Sequence, residues 1–104
     1  MGIHETIIEA IRNVQILEIQ YGDFRNPAFR VDPYVYGVRK GVPVLFARRR
    51  SAGEFSDDGP GWDWLDVERI LIANVVSGSK FSARREYGLQ SRGLEKIYAQ
   101  LLAA

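Results

Sequence analysis

The chain contains no cysteine, so disulfide bonds, thiol nucleophiles and thiolate metal ligands are all excluded. It contains one histidine, His4. A zinc site would therefore rest on carboxylates, a donor set that zinc sites rarely use alone. A Ser-His-Asp arrangement would need His4 as its base, and the flanking residues carry no such pattern. His4 is expected to be an exposed residue near a fraying chain start. Long apolar runs are missing as well. The longest, such as residues 70–76, fall far short of the ~20 residues needed to span a bilayer as a helix. Met1-Gly2-Ile3-His4-Glu5 has no basic stretch ahead of an apolar one, so no secretory signal is expected. Strong net charge is absent: 14 Lys+Arg face 13 Asp+Glu, a formal +1. The total gives no electrostatic footprint for nucleic acid. These absences set the first expectations: no membrane, no metal, no cofactor, and a reducing, cytoplasmic location.

What is present reads as a small globular protein. At 104 residues there is room for one domain, residues 1–104, with a core but little surplus. Ile3, Ile7, Ile8, Ile11 and Val14 recur at helical spacing, which predicts an amphipathic helix over residues 1–14. From Gln15 the period changes to two. Leu17, Ile19 and Tyr21 alternate with Glu18 and Gln20, a strand with one buried face. Gly22-Asp23 turns the chain. Residues 24–31 read as a second extended piece, broken or at an edge because Pro27 removes a donor. Asp32-Pro33 punctuates again, and residues 34–39 read as a third strand. Lys40-Gly41 is a hairpin signal leading into a fourth, residues 43–50. Residues 51–61 carry three glycines, a proline and two aspartates, an exposed loop. Trp62 to Leu65 re-enters structure. Residues 70–76 predict a buried strand, and Ser77-Gly78-Ser79 a turn that brings Phe81 back to the core. With Ser91 as N-cap, Leu94, Ile97, Tyr98, Leu101 and Leu102 predict a C-terminal helix over residues 91–103. Five or six short strands between two helices give an α+β, mostly β class, a small barrel or a strongly curled sheet.

Charge is distributed unevenly. Arg48-Arg49-Arg50 and Arg84-Arg85 are basic clusters, and Glu54, Asp57, Asp58, Asp63, Asp66 and Glu68 crowd the sequence between them. The carboxylates match no calcium-loop spacing and read as solvated loop charges. Gly53, Gly59 and Gly61 lack the strand–loop–helix setting of a phosphate-binding loop. In a strand, Arg48 and Arg50 share one face and Arg49 takes the other. Arginines beside aromatics hold phosphates and stack on bases, and Tyr34, Tyr36, Phe55, Trp62 and Trp64 are available for that. The competing expectation is that the aromatics are core and the arginines meet their own acidic loop. Trp64 and Phe46 read as core.

One succession of residues is familiar. Val31-Asp32-Pro33-Tyr34 leads to Gly37, Gly41 and Leu45-Phe46-Ala47-Arg48; Pro60-Gly61-Trp62 follows, then Val67-Glu68-Arg69-Ile70, Phe81, Arg84 and Tyr87. Over residues 16–87 this order resembles the WYL domain family, in particular its short stand-alone members. The resemblance implies an Sm-like or SH3-like five-stranded β-barrel core. It implies a bacterial, non-enzymatic module of transcription regulation that senses a ligand, a nucleotide or single-stranded nucleic acid. It would place Tyr34, Arg48, Arg49 and Arg69 on the ligand-binding face, with Trp62 and Arg84 beside them. The chain departs from the family at two points. The Trp-Tyr-Leu triplet falls on Pro43, Val44 and Leu45, and only the leucine is kept. No helix-turn-helix is present. The alternative expectation is an assembly module, with the apolar stripes of the two end helices as a homodimer seam.

Overall fold

The structure, a computed structural model, describes residues 2–50, 62–81 and 94–101. Its helix α1, Ile3–Asn13, forms where the 3.6-residue stripe was read. Ile7, Ala10 and Ile11 on that stripe have almost no exposed surface, and Ile3, Ile8 and Val14 pack beside them. The stripe therefore packs into the core of the chain. The helix ends at Val14, which enters the left-handed region at φ 55°, where its N–H reaches the carbonyls of Ala10 and Ile11.

Six strands follow: β1 Leu17–Tyr21, β2 Phe29–Arg39, β3 Val42–Arg49, β4 Trp62–Asp66, β5 Ile70–Val75 and β6 Lys96–Gln100. A 3-10 turn, Val67–Arg69, joins β4 to β5, its start capped by the Asp66 carboxylate on the Glu68 N–H. All pairings are antiparallel and the strand path is β4-β3-β2-β1-β5. β4 and β5 end this path, and among the described residues no ladder joins them, so the sheet is not closed into a barrel. What the described residues build is a mostly β, antiparallel sheet of six strands with one helix across it. No helix among the described residues is long and apolar enough to cross a membrane.

Two strands differ from their sequence reading. Residues 24–28 are not part of a strand. The Asp23 carboxylate and carbonyl cap the Arg25 and Asn26 N–H groups and close the segment into a turn, so Pro27 precedes β2. The pieces expected on either side of Asp32-Pro33 are instead one strand. Along one edge β2 pairs with β1 at residues 29–31 and with β6 at residues 35–38. On that edge Pro33 falls in the gap between its two partners, so its missing N–H interrupts neither ladder. A register shift lies between Pro33 and Val35 on the β3 side.

The C-terminal helix is corrected to a strand over Lys96–Gln100; Ser91 and Leu102 lie outside the described residues. Leu94, Ile97, Tyr98 and Leu101 match helical spacing, but the free edge of β2 offers a ladder that a terminal helix could not use. Gly37 makes the approach feasible: a Cβ there would lie 2.2 Å from the Lys96 carbonyl oxygen. Leu101 closes the ladder, its N–H donating to the Tyr34 carbonyl at 2.9 Å. The Lys40-Gly41 hairpin is present, both residues at positive φ (52° and 77°). β5 is a terminal strand with alternating exposure, in place of the expected buried one.

Candidate anion-binding face

Strand alternation parts the three consecutive arginines. Arg48 pairs across the ladder with Asp32. Asp32 is almost fully buried, and its carboxylate accepts from Arg50 Nε at 2.5 Å and lies 3.9 Å from Arg48 Nη1. The arginines thus meet a carboxylate of β2, which the sequence reading did not single out. Arg48 is itself buried, at 9% exposure, so its guanidinium is fixed inside the fold.

Arg49 points the other way. Its guanidinium carbon sits 4.0 Å from the centroid of the Phe29 ring, and Nη1 is 4.0 Å from Asp63. Phe29 meets Tyr21 edge to face, centroids 6.3 Å apart. Register explains the row: Ile19 pairs with Phe29 and Val31 with Arg49, so Tyr21, Phe29 and Arg49 occupy one face of three adjacent strands. Arg69 completes it, 5.4 Å over the Tyr21 ring. The Asp66 N–H donates to the Tyr21 hydroxyl at 3.0 Å, and the Gly22 N–H donates to the Arg69 carbonyl at 2.8 Å. These bonds seat the 3-10 turn, and with it Arg69, against the end of β1. The result is two exposed cations held over two half-buried rings that touch each other.

The structure brings Arg49 and Arg69 together in this row, and of the other described candidates it buries Arg48 and Tyr34. Tyr34 has no exposed surface and packs on Phe81 at 5.4 Å, so it is a core residue and not part of an accessible face. Trp62 pairs with Arg48 in the β3–β4 ladder. Arg84 lies outside the described residues, as do the loop 51–61, Phe55 and the second basic cluster. Phe46 and Trp64 form the expected core pair, centroids 4.7 Å apart. Tyr21 and Phe29 were missed as site residues. Their signal was cross-strand register, which no single strand displays.

His4 is exposed as expected but engaged: Nδ1 is 2.8 Å from the Tyr36 hydroxyl, and the imidazole meets the Tyr36 and Tyr98 rings edge-on. Burial, then Tyr98 and then Glu5, raise the Tyr36 phenol above its ordinary pKa. A depression of about 450 Å³ on α1 is lined by His4, Glu5, Ile8, Glu9, Arg12 and Asn13. Its two carboxylates disfavour an anion. No group of three or more metal-ligating residues occurs among the described residues.

No protein-family profile and no curated protein matches the chain. Among solved structures, 84% of this chain superposes on proteasome accessory factor B/C (PafBC) of Arthrobacter aurescens, with a TM-score of 0.67 and 15% identity. This chain spans 13% of the length of that one. At that identity the likeness shows the fold alone.

Proposed function

We propose that the chain is a non-enzymatic, WYL-like ligand-binding module of regulatory type. Its ligand is an anion attached to a planar group: a nucleotide or a short single strand of nucleic acid. The observation that carries this reading is the Arg69–Tyr21–Phe29–Arg49 row. Guanidiniums receive phosphates, and ring faces and guanidinium planes stack on bases. The fold likeness supports it, since PafBC contains a WYL domain. Arg49 and Arg69 bind; Arg48 holds β2 to β3 through Asp32; Tyr21 and Phe29 replace Tyr34 as stacking partners.

The test is calorimetric titration with nucleotides and with short single-stranded oligonucleotides at several salt concentrations. Two phosphate contacts on a single strand give a log–log salt slope of about −1.4. Arg49→Ala with Arg69→Ala removes binding, while Arg25→Ala, which changes an exposed arginine of the β1–β2 turn, leaves it intact. Absence of binding by both ligand classes at low salt refutes the reading, as does binding that survives the double substitution.

A further inference from the structure

A terminal strand offers one unpaired row of backbone donors and acceptors, and proteins blunt such edges with lysine, proline or a bulge. β5 is terminal, bonded to β1 along one edge, and among the described residues no strand pairs with the other. Residues 70–79 contain no charge and no proline. Ile72 is 44% exposed, one of the most exposed large apolar side chains described. The other edges differ: β4 carries Asp63 and Asp66, and β6 carries Lys96. β5 alone among them has no charge.

The strand is also self-complementary. Read outward from Ala73, Ile72 stands against Asn74, Leu71 against Val75 and Ile70 against Val76. Leu71, Ala73 and Val75 are half-buried, and Ala73 and Val75 share their face with the core residues Ile19 and Leu17. An antiparallel copy centred on Ala73 would extend that apolar row across the new ladder, with a small side chain at the axis. We propose that β5 pairs with β5 of a second copy of this chain about a two-fold axis at Ala73. The contact is isologous and closes at two copies. It is independent of the anion-binding face.

Sedimentation equilibrium over a wide concentration range reads the association. Ile72→Lys adds a charge at the exposed edge and raises the dimer dissociation constant by about tenfold or more, with circular dichroism of the monomer unchanged. A second experiment reads the register. Since the chain has no native cysteine, Ile72→Cys mixed with Asn74→Cys forms the mixed disulfide in preference to either homodimer. A monomer at millimolar concentration overturns the proposal. So do assemblies larger than two, association indifferent to Ile72→Lys, or cross-linking with no preference for the mixed pair.

Discussion

Gly37→Ala separates a strand from a helix at the C-terminal end. The added Cβ would lie 2.2 Å from the Lys96 carbonyl oxygen and 3.2 Å from its carbonyl carbon. A close carbon–oxygen approach is about 3.3 Å, so β6 must retreat by about 1 Å. The flanking bonds, Glu95 N–H to the Val38 carbonyl at 2.7 Å and Leu101 N–H to the Tyr34 carbonyl at 2.9 Å, stretch beyond hydrogen-bonding range. Each ladder bond is worth about 1 kcal/mol net. Exposing Leu101, now 4% exposed, costs about 2 kcal/mol more. The lower unfolded-state entropy of alanine offsets at most about 1 kcal/mol. The expected net loss is therefore about 3 kcal/mol, which lowers the Tm of a domain this size by roughly 12–24 °C. Thermal melting measures the loss, and amide hydrogen exchange over Lys96–Gln100 locates it. A variant that melts within about 3 °C of the parent and keeps those amides protected would refute the reasoning.

Asp32→Asn uncouples Arg48 and Arg50 and costs about 3 kcal/mol by chemical denaturation, because Arg48 loses the charge of a buried partner. Adding Arg48→Met recovers much of that loss, and a purely additive double variant would contradict the ion-cluster account. Asp63→Asn changes stability by less than about 0.5 kcal/mol but raises affinity for a phosphate-bearing ligand about two- to fivefold, because Asp63 competes for Arg49. Tyr36 is the alkaline sensor: its phenol titrates higher folded than unfolded, so its contribution is complete below the ordinary tyrosine value of about 10 and is lost as pH rises through the folded value. Tyr36→Phe removes that alkaline component from a stability–pH profile; an unchanged profile would exclude the assignment.

Local pattern determined α1, β1, the Lys40-Gly41 hairpin, β3 and the sites where the chain turns. Each is set by periodicity or turn chemistry within a few residues. The same patterning separated Arg48 and Arg50 from Arg49, since side chains alternate along any strand. Tertiary structure alone decided the rest. Leu94, Ile97, Tyr98 and Leu101 satisfy helical spacing, and only the free edge of β2, opened by Gly37, makes their segment a strand. Pro33 read as a break because the gap between β1 and β6 is a property of two distant partners. Tyr34 entered the core and Tyr21 and Phe29 formed the face for the same reason: register assigns neighbours across strands. His4 found Tyr36 across 32 residues, a pairing with no local trace. Periodicity shows which residues want burial; pairing between distant strands determines what they meet there.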